Sequence, residues 1–135
     1  MNAPENHRLA MRFLDKLGAG ASPEEIASLC APDLAWDIPG DAGVLPWVGR
    51  KSGRQAMFDF LVDTQTMIVR ESLDIEDVLA SDLRVAVLGH LKTRIVATGK
   101  LIDTPFAIVL TFSDDLISSF LMLEDSFGTS LAARK

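Results

Sequence analysis

The apolar positions of this chain recur first at helical spacing and later by alternation, and that change of period predicts its elements. Residues 5–17 put Leu9, Phe13, Leu14 and Leu17 on one stripe, with Arg8, Arg12, Asp15 and Lys16 away from it. Gly18 and Gly20 stop this helix. Ser22-Pro23-Glu24-Glu25 then combines an N-cap, a first-turn proline and the glutamate of a capping box, so a short second helix is predicted, ending before Pro32. Residues 34–38 read as a brief strand closed by Pro39-Gly40. The 39–51 loop is too apolar for a solvated connection, carrying Val44, Leu45, Trp47 and Val48. Ser52-Gly53-Arg54-Gln55 reads as a second capping box, opening a helix to about Met67 with Met57, Phe58, Phe60, Leu61 and Val62 inward or nearly so.

Alternation takes over from there. Residues 69–79 form a strand of weaker pattern, turned at Ser81-Asp82. Residues 84–127 read as three further strands, punctuated by Thr98-Gly99-Lys100 and Ser113-Asp114-Asp115. Residues 132–135 are expected to fray. Helices followed by a run of strands predict an α+β domain spanning 1–135, its helices covering one face of a curved antiparallel sheet. The last two strands are apolar on both faces: Phe106, Ile108 and Leu110 against Ala107 and Val109, and Phe120 and Met122 against Leu121 and Leu123. The outer face therefore needs a cover, and a homodimer through it is the expected arrangement.

Bulk properties narrow the function classes. At 135 residues and 48% hydrophobic, the chain suffices for one core without disulfide or metal. Its single cysteine, Cys30, reads as a small buried hydrophobe in an apolar helical segment. A net charge of −6 argues against nucleic acid as a partner. With no targeting or membrane-spanning run, the protein is expected to be soluble and cytoplasmic, with no membrane partner. Two histidines without H-x-H spacing suggest no metal site, and no phosphate-cradling glycine loop is present, so no cofactor is expected.

The segments D-L-A-W-D-I-P-G, L-P-W-V-G-R-K-S-G-R-Q-A-M-F-D-F-L, V-A-V-L-G-H, A-T-G-K and I-S-S-F-L-M-L-E-D-S resemble a SnoaL-like member of the NTF2-like superfamily. The resemblance covers nearly the whole chain. It implies a cone-shaped sheet wrapped around a long helix, with an apolar pocket at the wide end, and a dimer through the sheet. It also implies cofactor-independent isomerase, hydratase or polyketide cyclase chemistry on a small hydrophobic or polyketide-like molecule. By the same resemblance, an isomerase base would occupy the position of Ile38. Its hydrogen-bond donors would be an early-helix tyrosine and a group at Ile108, yet the chain has no tyrosine and isoleucine moves no proton. Epoxide hydrolysis would need Arg and Asp two apart on one strand face, which the meander strands lack. A non-catalytic binding or dimerisation module of the same fold is the alternative.

Among polar residues, Glu124 shares a face with Phe120 and Met122 and is the candidate general acid/base, or else a solvated rim carboxylate. His90, Lys92 and Arg94 share one strand face, which is either an anion site with His90 as a second catalytic candidate or a solvated outer face. Glu71 falls in phase with Val69, Leu73 and Ile75 as a second inward carboxylate, whereas Asp37 and Asp125 alternate outward. Trp36, Ile38, Trp47, Phe58, Phe106, Ile108, Phe120 and Met122 are expected to line the pocket.

Overall fold

The computed structural model describes residues 2–135. The elements run α1 (Ala3–Gly18), α2 (Pro23–Ala27), β1 (Cys30–Ile38), β2 (Gly49–Ser52), α3 (Gln55–Met67) and β3 (Ile68–Ala80), then β4 (Arg84–Ile95), β5 (Leu101–Ser113), β6 (Leu116–Leu123) and α4 (Ser126–Ala133). The Asn2 side chain caps α1 by accepting from the Glu5 amide at 2.9 Å. The helix closes in a Schellman motif: Gly20 has φ +71°, its amide donates to Leu17 O and the Ala21 amide to Lys16 O. Leu9, Ala10 and Phe13 are its buried stripe. Ser22 caps α2 as expected, accepting from the Glu25 amide.

The six strands form one curved, unclosed sheet in the order β2-β1-β6-β5-β4-β3. All neighbours are antiparallel except β1 and β6, which run parallel with Trp36 opposite Phe120. Alternation is cleanest in β4, where Val85, Val87, Gly89, Leu91, Thr93 and Ile95 are buried against the helices and the residues between them are not. Trp36 stacks on Phe120 at 4.6 Å, and Phe13 meets Phe120 edge-on. The Trp36 indole N–H donates to Trp47 O at 3.0 Å, which satisfies the one polar atom of a fully buried ring. This aromatic block is rigid backing for whatever lies between sheet and helices.

The α+β expectation holds, with corrections in detail. The 39–51 loop is partly a strand: β2 pairs with β1 and places Ser52 opposite Ala35. Ser52 is thereby lost as a cap, and α3 starts at Gln55 with no side-chain cap. Arg54 instead donates two hydrogen bonds to Cys30 O, at 2.6 and 3.2 Å. Cys30 opens β1 rather than lying in a helix; burial pushes its thiol up to about 12, and Arg54 only partly counters this. The largest departure is α4, which spans the end of the expected last strand at 126–127, the residues after it for which no element was expected, and the start of the expected frayed tail at 132–135.

Candidate functional site

Between the helices and the inner sheet face lie two chambers, of about 160 Å³ and about 50 Å³, which share Phe60, Thr64, Arg70, Leu91 and Met122 in their walls. The larger is closed on the helix side by Phe13, Met57, Phe60 and Leu61 and floored by Phe106, Ile108 and Phe120. Met57, Phe60, Leu61 and Thr64 recur at one helical face of α3, so a single helix stripe makes that wall. Gly89 makes room for the floor. A Cβ there would lie 2.1 Å from Asp74 O and 2.7 Å from the Phe106 ring, so the ring rests on bare backbone.

The smaller chamber reaches Trp47, Thr93, Ile102, Glu124 and Thr129. Glu124 follows the end of β6 and is half-buried. Burial pushes its carboxyl up to about 7, the neighbouring Asp125 charge adds to this, and the Thr129 hydroxyl pulls weakly the other way. That hydroxyl is buried and makes no close hydrogen bond of its own. α4 is what puts it there. Asp125 caps α4 by accepting from the Gly128 amide at 2.9 Å, and its own amide donates to Thr104 Oγ1. A side chain at residue 128 would collide with that cap, its Cβ 2.5 Å from Asp125 Oδ2. The far end of α4 is tied down by Thr98 Oγ1 donating to Ala132 O and by Ser130 and Arg134 donating to Asp41. Those two bonds hold the Asp41 carboxyl below the usual carboxylate range.

Of the residues expected to line a pocket, Phe106, Ile108, Phe120 and Met122 line the larger chamber and Trp47 the smaller. Trp36 and Ile38 sit one layer back in the core, 2% and 1% exposed. Phe58 is corrected: it faces an outer groove beside Glu24, Ser28 and Arg54, and Phe60 takes the inward place. Of the two readings of His90, the structure has the outer face: His90 is bonded there to Asp103, whose carboxyl this contact holds below the usual range, and it does not line the chambers. Glu71 is outward as well, paired with Arg94 at 2.6 Å. A β-bulge between Arg70 and Ser72 shifts the phase of β3, so Arg70 pairs with inward Thr93 and Leu73 with inward Leu91. Arg70 is therefore the cavity residue that alternation missed. Its side chain stays open to solvent at the cavity mouth, and partial desolvation against the apolar walls lowers its pKa from the ordinary value.

No group of three or more His, Cys, Asp or Glu side chains that could hold a metal occurs among the described residues, and no helix among them is long and apolar enough to cross a membrane. A surface depression of about 470 Å³ beside Asp82, Arg84 and Asp114 is an open groove between hairpin turns without convergent chemistry.

The profile of the SnoaL-like domain matches residues 10–120. No curated protein matches the chain. Among solved structures, an NTF2-like protein from Burkholderia xenovorans is 22% identical, with a TM-score of 0.87 over 99% of each chain. TerC, co-crystallised with polyporic acid, is 19% identical at TM-score 0.78, covering 97% of this chain and 99% of its own. A proposed SnoaL-like polyketide cyclase from Mesorhizobium loti is 15% identical at TM-score 0.72, covering 86% and 96%. At these identities the likeness shows the fold.

Proposed function

This chain belongs to the SnoaL-like domain family of NTF2-like folds, and from that premise we propose that it performs cofactor-independent proton transfer on a small, largely apolar molecule, with Glu124 as the acid/base. The observation that carries this reading is a carboxyl group in the wall of an apolar cavity, with its pKa pushed up to about 7. A group with that pKa holds and releases a proton at neutral pH with comparable ease, which is what general acid–base catalysis requires. Ionised, it would take a proton from a carbon made acidic by a neighbouring carbonyl. Protonated, it would return the proton elsewhere on the same molecule, and the net change is an isomerisation or ring closure without an outside reagent. The larger chamber, of about 160 Å³, would take a body of single-ring size, since an apolar cavity of roughly 150 Å³ accepts benzene, and the reacting end of the molecule would have to reach Glu124 in the adjoining smaller chamber. TerC's polyporic acid and the Mesorhizobium loti protein's description as a polyketide cyclase are compatible with cyclic substrates.

The test is a thermal-shift screen of single-ring and larger terpenoid, steroid and aromatic polyketide compounds, followed by turnover of each hit. Glu124→Gln is expected to keep binding and lose activity by roughly 10²-fold or more; full turnover in that variant would overturn the assignment. The non-catalytic binder is the second reading, favoured by the aliphatic Ile108 in the cavity wall and by the lack of tyrosine in the chain. Binding without any turnover across the hits would select it. We also propose that the partner is a second copy of this chain on the outer sheet face, where Val109 lies opposite Leu121 and Ala107 opposite Leu123.

A further inference from the structure

Arg70 is the one Lys or Arg among the residues that line the two chambers. The bulge at Glu71 turns it onto the inner face of β3, where it joins the wall of both chambers. Lys16 pairs with Glu25, Arg50 with Asp37, Arg94 with Glu71 and Arg134 with Asp41, while Arg54 is spent on Cys30 O. Arg70 makes no ion pair or hydrogen bond among the described residues, although the chain has nineteen acidic side chains to thirteen basic. Its neighbours in the wall are apolar (Phe60, Leu91 and Met122), with Thr64 and Gln65 at the same side of the larger chamber. Arg70 remains solvent-accessible, so it stands at the mouth of the chambers, and where its stem packs on these walls partial loss of hydration lowers its pKa. A planar fork of donors is shaped for a carboxylate, and this chain brings none to it.

We propose that the natural ligand is a carboxylic acid with a body of about one ring, its carboxylate held by the Arg70 guanidinium and its apolar body lying against Leu91, Phe106 and Phe120. The inference rests on reading the same cavity as the ligand site and adds the charge and the position of the ligand's head group. Bulges recur where a strand must re-aim one side chain next to a binding site, and here the re-aimed residue is the one charged group that faces both chambers from β3.

The experiment is a titration followed by ligand-observed NMR, using phenylacetate, 2-phenylethanol and phenethylamine, which share one apolar body and differ in head group. Wild-type protein is expected to bind phenylacetate at least about tenfold more tightly than the alcohol, and the amine least. Arg70→Met keeps the apolar stem and is expected to erase the preference while leaving 2-phenylethanol affinity within about twofold. Arg70→Lys, keeping the charge without the fork, is expected to retain part of it. Equal binding of acid and alcohol by the wild type, or an undiminished preference in a folded Arg70→Met, would overturn the anion anchor and leave the pocket reading standing. Failure of all three compounds to bind at millimolar concentration would overturn both. The wild-type comparison decides by itself if the variant does not fold.

Discussion

Glu124 can be tested without knowing any substrate, because a displaced pKa is also a statement about folding. The group moves from an ordinary 4.5 to about 7 in the folded protein, mainly through burial. Between those values the folded chain holds a proton that the unfolded chain has released, so stability falls as pH rises through this window. Below about 4.5 both states are protonated and there is no cost; above about 7 the cost is complete. Two and a half units at about 1.4 kcal/mol each give about 3.5 kcal/mol. Partial exposure of the carboxyl screens this to about 1–2 kcal/mol. The perturbation is Glu124→Gln, which keeps the shape and removes the titration. Urea unfolding followed by Trp36 and Trp47 fluorescence, at steps from pH 5 to pH 8, gives the free energies. Every other titrating group is common to both proteins and cancels in the difference. Asp41 and Asp103 act in the opposite sense, since their carboxyls are held below the ordinary value and their contribution fades only as pH falls below about 4. The expected result is that wild type loses about 1–2 kcal/mol more than Glu124→Gln on going from pH 5 to pH 8, with matching denaturant slopes. Parallel stability curves would mean that Glu124 is solvated in the folded protein, and the acid/base assignment would fall with them.

Two further outcomes follow from the walls and the outer face. Gly89→Ala should destabilise by about 2–3 kcal/mol in chemical denaturation, because its Cβ would be driven into Asp74 O and the Phe106 ring, neither of which can yield cheaply; a change below about 0.5 kcal/mol would show that the floor of the cavity is looser than described. Light scattering at micromolar concentration should give a dimer for the wild type and a monomer for Leu121→Lys, whose charge would be buried between the two sheets; a wild-type monomer would reject the outer face as a partner surface.

How much of this was legible depends on whether a residue obeys a period. The inner set of β4 and the inward Phe106, Ile108, Phe120 and Met122 follow from strict alternation in strands buried on one side by helices. Phe60 was available too: Met57, Phe60, Leu61 and Thr64 sit three, four and seven apart, and Phe58 lies about 100° off that line. α4 left no such trace. Its buried residues are Thr129 and Ala132, which make no apolar stripe, and only Asp125 with Gly128 three residues later hinted at a cap. β2 was hidden because an edge strand of four mostly exposed residues has no face to bury.

The two charged groups of the cavity, Arg70 and Glu124, sit at breaks in that regularity, whereas Thr64 and Thr93 come from the regular α3 stripe and β4 face. Arg70 faces inward only because one extra residue at Glu71 shifts the strand by a half-period; without the bulge, Glu71 would face the chambers and Arg70 the solvent. Glu124 lies where β6 has ended, and the nearby Thr129 comes from a helix that starts one residue beyond Asp125. Regular strands and helices thus supply an apolar box, which alone would hold any small hydrophobic body. One bulge and one strand-to-helix junction then place a cation and a carboxyl in its walls. A fold serving only as a dimerisation platform would have no use for that pair, and the substitutions at Arg70 and Glu124 separate binding from chemistry because the two groups come from independent irregularities.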